Sequence, residues 1–299
     1  MTDRNAQPGG GEMLRRNLGI LYQEDSDRGL EHPFFVLILN AFIKEAKARN
    51  YDVTLIHHPL EGKEESLAEH ARRSGTDGIC LVCTDFGHPR ISELMASGLP
   101  CVTVDHLFKG TPAVLSDNET GIRRLVEYAI SRGHRRIAFV HGHNNSLVTR
   151  TRISQFRNTM EFHHLPVPEE YIREGKYHDI GGTRNRVAEL LRLPEPPTFI
   201  LLPDDMSYIG AQEAAWDCGF RIPQDISFAG YDGIPLTQAL VPRLTTIRQN
   251  CDKMGRVAAE RLIDLIEHPD TAYRKPTIYP VELLEGETVA GLRDGAGSD

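Results

Sequence analysis

Short apolar runs of strand length alternate with longer amphipathic segments along almost the whole of this chain. A parallel sheet buries such runs on both faces, because its crossover helices cover both sides. In the first half, "NLGILYQ", "YDVTLIHH", "DGICLVCT", "PCVTVD" and "AVLSD" read as strands. Between them, "FFVLILNAFIKEAKARN", "ESLAEHARRSG" and "HPRISELMASG" carry apolar residues at helical spacing. The second half repeats the rhythm, with "RRIAFVHG", "PTFILLP" and "DISFAGYD" as strands among four further helical patterns. Near the end, "TTIRQ" predicts a short strand, "DKMGRVAAERLIDLIEH" a long amphipathic helix and "TIYPVELLEGET" a terminal strand.

At 299 residues the chain exceeds one small core and suits two lobes. No low-complexity linker separates the halves, so two lobes joined by short crossovers are expected. The predicted class is α/β, with two doubly wound parallel-sheet lobes and a cleft between them. The N-terminal lobe is predicted over 16–116 plus 244–275, and the C-terminal lobe over 117–243 plus 276–291. Residues 1–15 and 292–299 read as disordered tails.

Net charge is −8, so the chain as a whole has no basic footprint for nucleic acid. No apolar run reaches the length of a membrane span, and the first residues, "MTDRNAQPGGGEMLRR", have no signal-peptide core. The five cysteines are scattered and odd in number, which argues for reduced, cytoplasmic thiols. Cys80 and Cys83 form a C-x-x-C inside a predicted strand and read as structural. No metal is expected: neither "HGHNN" nor the pairs His57–His58 and His163–His164 has an acidic or Cys partner at ligand spacing. The dinucleotide fingerprint, the phosphate loop and the nucleophile elbow are all absent, so no cofactor and no catalytic activity are predicted.

Ligands of open parallel sheets bind outside the carboxyl ends of the strands. In this chain polar residues crowd those ends: Tyr22 and Gln23, then Asp105, then His141 to His143, then Asp204 and Asp205, then Asp232. Each aspartate alone reads equally as the cap of the next helix. Repetition of the feature at several strand ends favours a small polyhydroxylated or heterocyclic ligand.

Several motifs resemble the LacI/GalR family of transcription regulators in their effector-binding core. "SDNETG", the helix after it and "RGHRRIAFVHG" match a D-N-x-x-G crossover followed by the G-H-x-R-I-x-F-x-x-G opening of the second lobe. "GFRIPQDISFAGYD" is similar to the family's G-x-x-I-P-x-D-I-S-x-x-G-Y-D segment, and "PRLTTIRQNCDKMGRVAAERLIDLI" to its return toward the first lobe. The resemblance covers about residues 16 to 291 and implies a type I periplasmic-binding-protein-like fold. "SDNETG" itself reads as architecture, a turn-forming Asp-Asn pair with a Gly.

The resemblance implies binding roles for particular residues. Arg152 matches an effector-contacting Arg in an R-x-x-G-[FW] pattern, with Gln155 in place of the Gly. Asp204 and Asp205 stand where the family has an N-D pair, Asp232 where a carboxylate takes ligand hydroxyls, and Asp105 is the first lobe's counterpart. Tyr177 falls at an aromatic platform; Phe34 or Phe35 walls the other side, or packs in the core. The four aspartates are expected to disfavour anionic ligands unless Arg152 compensates. The implied function is cleft binding of a sugar or sugar derivative by a cytoplasmic homodimer, controlling operator DNA contact through a helix-turn-helix headpiece. The residues before "NLGILYQ" have room for no headpiece, which implies a trimmed core or a headless homologue. The alternative function is a free-standing sugar-binding protein of the periplasmic type.

Overall fold

The computed structural model describes residues 16–22, 33–56 and 65–292. The predicted tails, apart from Leu292, lie outside the described residues, as do Gln23 and the His57–His58 pair. Two six-stranded sheets organise the chain. The first runs β2 (Tyr51–Ile56), β1 (Arg16–Tyr22), β3 (Gly78–Val82), β4 (Cys101–Val104), β5 (Ala113–Ser116) and β11 (Thr277–Tyr279), all parallel. The second runs β7 (Ile172–Glu174), β6 (Ile137–His141), β8 (Phe199–Leu201), β9 (Ser227–Asp232), β10 (Thr245–Arg248) and β12 (Glu282–Leu284). Only its last pair, β10 with β12, is antiparallel. This is the doubly wound α/β architecture that the alternation of runs predicts.

Burial explains why these runs are strands. Every residue of β3, β4, β6, β8 and β9 is buried, so helices must cover both faces of each sheet. On one face of the first sheet, α1 (Pro33–Ala48) packs against α9 (Cys251–Glu267). Phe35, Ile38 and Phe42 of α1 meet Met254, Ala258 and Leu262 of α9 in the largest core cluster. In the second sheet, Phe139, Phe156, Phe199 and Tyr231 occupy one core and Tyr208 and Phe228 another.

The chain passes between lobes three times, and the last two passages differ from the predicted boundaries. β10 belongs to the second sheet, so that crossing lies between Arg248 and Cys251 rather than at 244. β11 belongs to the first sheet, so the return lies between Tyr279 and Glu282 rather than at 276. The predicted terminal strand is therefore two short strands in different sheets. Pro280 interrupts it, having no N–H to continue a ladder. β7 and the short helix α8 (Pro235–Gln238) are further elements that the apolar pattern does not mark.

Phe42 is fully buried, whereas Phe162 is 77% exposed on the last turn of α5 (Leu147–Phe162). Phe42→Ala is expected to cost about 3–5 kcal/mol and Phe162→Ala less than about 0.5 kcal/mol. Thermal melts of both variants check this: a drop of at least roughly 6 °C for the first and almost none for the second.

Candidate functional site

The carboxyl ends of both sheets face one another across a cavity of about 230 Å³. From the first lobe it is lined by Phe34, by the segment from Val82 to Phe86 after β3, and by Val104, Asp105 and His106 after β4. From the second come the start of α5 with Arg152, the loop Lys176–His178 after β7, and Asp232 at the end of β9. Gln249, in the second crossover, closes the back. Among the described residues six other than glycine have positive φ, and four of these, Cys83, Asp105, His178 and Asp232, line this cavity. Asp232 at +114° is in a region that side chains strongly disfavour. Such concentration of strain marks a functional site.

Arg152 forms the floor. It is buried, its Nε donates to Asn118 Oδ1 at 2.7 Å, and one Nη donates to the Pro203 carbonyl at 3.1 Å. The guanidinium lies 3.5 Å from the centroid of the Tyr231 ring. Tyr231 reaches that place because residue 121 has no side chain: a Cβ on Gly121 would lie 2.2 Å from its hydroxyl. Asn118 is fixed in turn by its amide, which donates to the Ser116 carbonyl. Asp117 caps α4 (Asn118–Ser131) through the Thr120 N–H. The "SDNETG" segment is therefore architecture that also seats the cleft's arginine.

Asp105 and Asp232 face each other from opposite lobes and are joined through protein. Asp105 accepts the Ser116 N–H at 3.0 Å, the Ser116 hydroxyl donates to Gln249 Oε1, and the Gln249 amide donates to Asp232 Oδ1 at 2.7 Å. The other oxygen of each carboxylate has no hydrogen bond among the described residues. Burial pushes the Asp105 carboxyl up to about 6, with the Ser116 N–H and Arg152 opposing. Burial, reinforced by Asp205, drives Asp232 well above the usual carboxylate range. Arg152 stays protonated: burial opposes its charge, but the tyrosines and aspartates around it prevail. Its two hydrogen bonds go to neutral oxygens, so the carboxylates await other donors.

Tyr177 lines the cleft, with its hydroxyl 2.9 Å from Thr149 Oγ1. Its ring lies against Gly142, where a Cβ would come within 2.2 Å. Phe34 and Phe35 divide the two roles open to them. Phe34 lines the cavity; Phe35 is fully buried and stacks on Tyr22 with ring centroids 4.0 Å apart. Tyr22 thus turns into the core and is not part of the cavity lining.

Asp204 and Asp205 are outside the lining too. Asp204 accepts the N–H groups of His178 and Ser207 at 2.8 and 2.9 Å, and the Ser207 hydroxyl. Asp205 accepts the Ile234 N–H and the hydroxyls of Thr237 and Thr246. Burial raises its pKa to about 7 against those three bonds. Both carboxylates are spent on structure: Asp204 holds the first N–H of α7 (Ser207–Asp217), and Asp205 ties the end of β8 to α8 and β10.

Residues 126–289 match the model of the periplasmic binding protein-like domain. The Bacillus subtilis (strain 168) "Probable HTH-type transcriptional repressor ExuR" is 31% identical over 67% of this chain and 60% of its own length. The ribose operon repressor of Escherichia coli (strain K12) is 28% identical over 85% of this chain and 78% of its own. A LacI family transcriptional regulator from Enterococcus faecium, solved with bound ribose, superposes with a TM-score of 0.80 at 25% identity, covering 93% of this chain and all of that one. Fold and site thus define a two-lobed α/β protein with a cleft between its lobes. The chain belongs to the periplasmic binding protein-like family, in the form carried by LacI-type repressors. It spans 60% of the ExuR length, and no helix among the described residues is long and apolar enough to cross a membrane.

A raised carboxyl pKa means that the folded state binds protons before the unfolded one, so stability falls as pH rises through the window between them. Asp232→Asn removes that penalty and keeps an oxygen for Gln249. The variant is expected to melt a few degrees above the wild type at pH 7.5, with the gain shrinking as pH falls toward 5. Paired melts of the ligand-free proteins across that range check the sign.

Proposed function

We propose that this chain is the effector-sensing core of a LacI-type transcriptional regulator. A small sugar-like molecule enters the interlobe cleft and controls DNA binding by a helix-turn-helix headpiece distinct from the two lobes. One observation carries the reading: Asp105 and Asp232, on different lobes, each turn an unsatisfied carboxylate oxygen toward the same cavity beside Arg152. Sugar hydroxyls donate to such oxygens and accept from a guanidinium. The size agrees, because about 230 Å³ lies below the range of pockets for drug-sized ligands and suits a monosaccharide. Phe34 and Tyr177 supply the apolar faces against which a sugar ring packs.

Ligand bridging the two lobes favours one lobe orientation over the other, and only that difference in affinity transmits a signal. The proposed assembly is a homodimer, which passes the orientation to paired headpieces at operator DNA. The proposed location is the cytoplasm, where operator DNA lies. The named relatives are repressors, which weighs against both a free-standing periplasmic binder and an enzyme.

A thermal-shift panel of pentoses, hexoses, polyols, nucleosides and purines tests this. A ligand at a hundredfold its Kd stabilises by about 2.7 kcal/mol. A monosaccharide hit whose shift vanishes in Arg152→Ala and in Asp105→Ala is the expected result. A hit unaffected by both variants, or a panel without hits, contradicts the reading.

A further inference from the structure

Gly121 is the fourth residue of α4, buried and outside the positive-φ set. Its backbone therefore needs no glycine, and alanine is the better helix former at such a position. Space is what the missing side chain supplies. A Cβ at residue 121 would lie 2.2 Å from the Tyr231 hydroxyl oxygen, 2.9 Å from its Cζ and 3.1 Å from its Cε2, and these are the three nearest atoms. The hydroxyl gains nothing from the contact. It is buried with no hydrogen-bond partner among the described residues, which is a cost rather than a gain.

The ring shows what the space is for. Arg152 Cζ lies 3.5 Å from the Tyr231 ring centroid, a separation that can be reached only over the ring face. The guanidinium is buried, and among the described residues no carboxylate is bonded to it. Its Nε donates to Asn118 Oδ1 and its Nη1 to the Pro203 carbonyl, while Nη2 has no acceptor among the described residues. An aromatic face stabilises a cation most when water is excluded from both. A second ring, that of Tyr177, lies 5.9 Å from the same carbon and is likewise seated against a glycine, Gly142. Asn118 and Gly121 are three residues apart on one face of α4. The first turn of that helix thus sets both the hydrogen bond to Arg152 and the ring against which it lies.

We propose that Tyr231 and Gly121 are positioning residues for Arg152. The space at Gly121 admits the Tyr231 ring, and the ring holds the guanidinium in the plane from which it serves the cleft. The proposal rests on the reading of Arg152 as a ligand-contacting group of the cleft, and adds what keeps it there. It separates the ring of Tyr231 from its hydroxyl. The ring is needed; the hydroxyl is only what makes the fit at Gly121 tight. Removing that oxygen takes away the 2.2 Å conflict with a Cβ at 121 and leaves the 2.9 and 3.1 Å approaches, which a small tilt of the ring relieves. Tyr231→Phe is therefore expected to suppress the defect of Gly121→Ala.

Two readouts on Tyr231→Phe, Tyr231→Leu, Gly121→Ala and the double variant Gly121→Ala/Tyr231→Phe test this. The first is the Arg152 Nε–H signal in nitrogen-15 NMR of the ligand-free protein, identified by its loss in Arg152→Lys. Ring current is expected to shift that proton upfield in the wild type and in Tyr231→Phe. The shift should collapse in Tyr231→Leu, change in Gly121→Ala and return in the double variant. The second is calorimetric titration with D-ribose, D-glucose and D-galactose. For whichever binds, affinity should fall at least about tenfold in Tyr231→Leu and in Gly121→Ala. It should stay within about threefold of the wild type in Tyr231→Phe and in the double variant. An Arg152 signal unmoved by Tyr231→Leu and Gly121→Ala overturns the proposal, and so does a Gly121→Ala defect that Tyr231→Phe fails to suppress. Where Tyr231→Leu does not fold, the suppression test decides. If none of the three sugars binds the wild type, the sugar reading of the cleft fails, and the Arg152 signal alone decides the positioning role.

Discussion

Two carboxylates facing one cavity, Asp232 buried and Asp105 half-buried, with no cation bonded to either, are the constraint on which the rest of this site depends. Removing a carboxylate from water is costly unless donors replace the water. Asp105 and Asp232 receive one protein hydrogen bond each, through the Ser116 N–H and the Gln249 amide. Arg152 lies beside them, yet its directed bonds go to Asn118 and Pro203. Each carboxylate keeps one oxygen that no protein group among the described residues bonds, and a molecule rich in hydroxyl donors can bond both. A ligand that bonds both carboxylates at once links occupancy to lobe orientation.

The supports of that arrangement come from the crossovers. Ser116 and Asn118 flank the first passage, and Gln249 lies in the second. Gln249 touches Ser116 of the first lobe and Asp232 of the second through opposite ends of one amide. A change in lobe angle must therefore adjust the pair of carboxylates together. Strained backbone at Asp105 and Asp232 fixes where those carboxylates point before any ligand arrives.

Much of this was legible in the sequence, and the failures have identifiable causes. Alternating apolar runs determine two doubly wound sheets, because each run must be buried on two faces. The strand-end rule finds Asp105 and Asp232. It does not separate them from Asp204 and Asp205, since a carboxylate that caps a helix and one that meets a ligand occupy the same kind of position. Phe34 and Phe35 are adjacent on one helix, and only its angle to the sheet decides which reaches the cavity. Tyr22 ends its strand but turns inward to stack on Phe35. Gln249 directly follows β10, just as Asp232 ends β9, so the same rule extended to "TTIRQ" would have found it. Lys176 follows β7, a strand of three residues with no apolar run, and no pattern marks it. The lobe boundaries slip where Pro280 divides what reads as one strand.

The central claim is that one small molecule satisfies carboxylates from both lobes at once. The most direct measurement is a crystal structure of the chain with its tightest-binding monosaccharide. The account predicts ligand oxygens within about 3.2 Å of a carboxylate oxygen of Asp105 and of Asp232, with Arg152 beneath. Ligand held by one lobe alone, or seated outside the cleft with both carboxylates still without new donors, would contradict it.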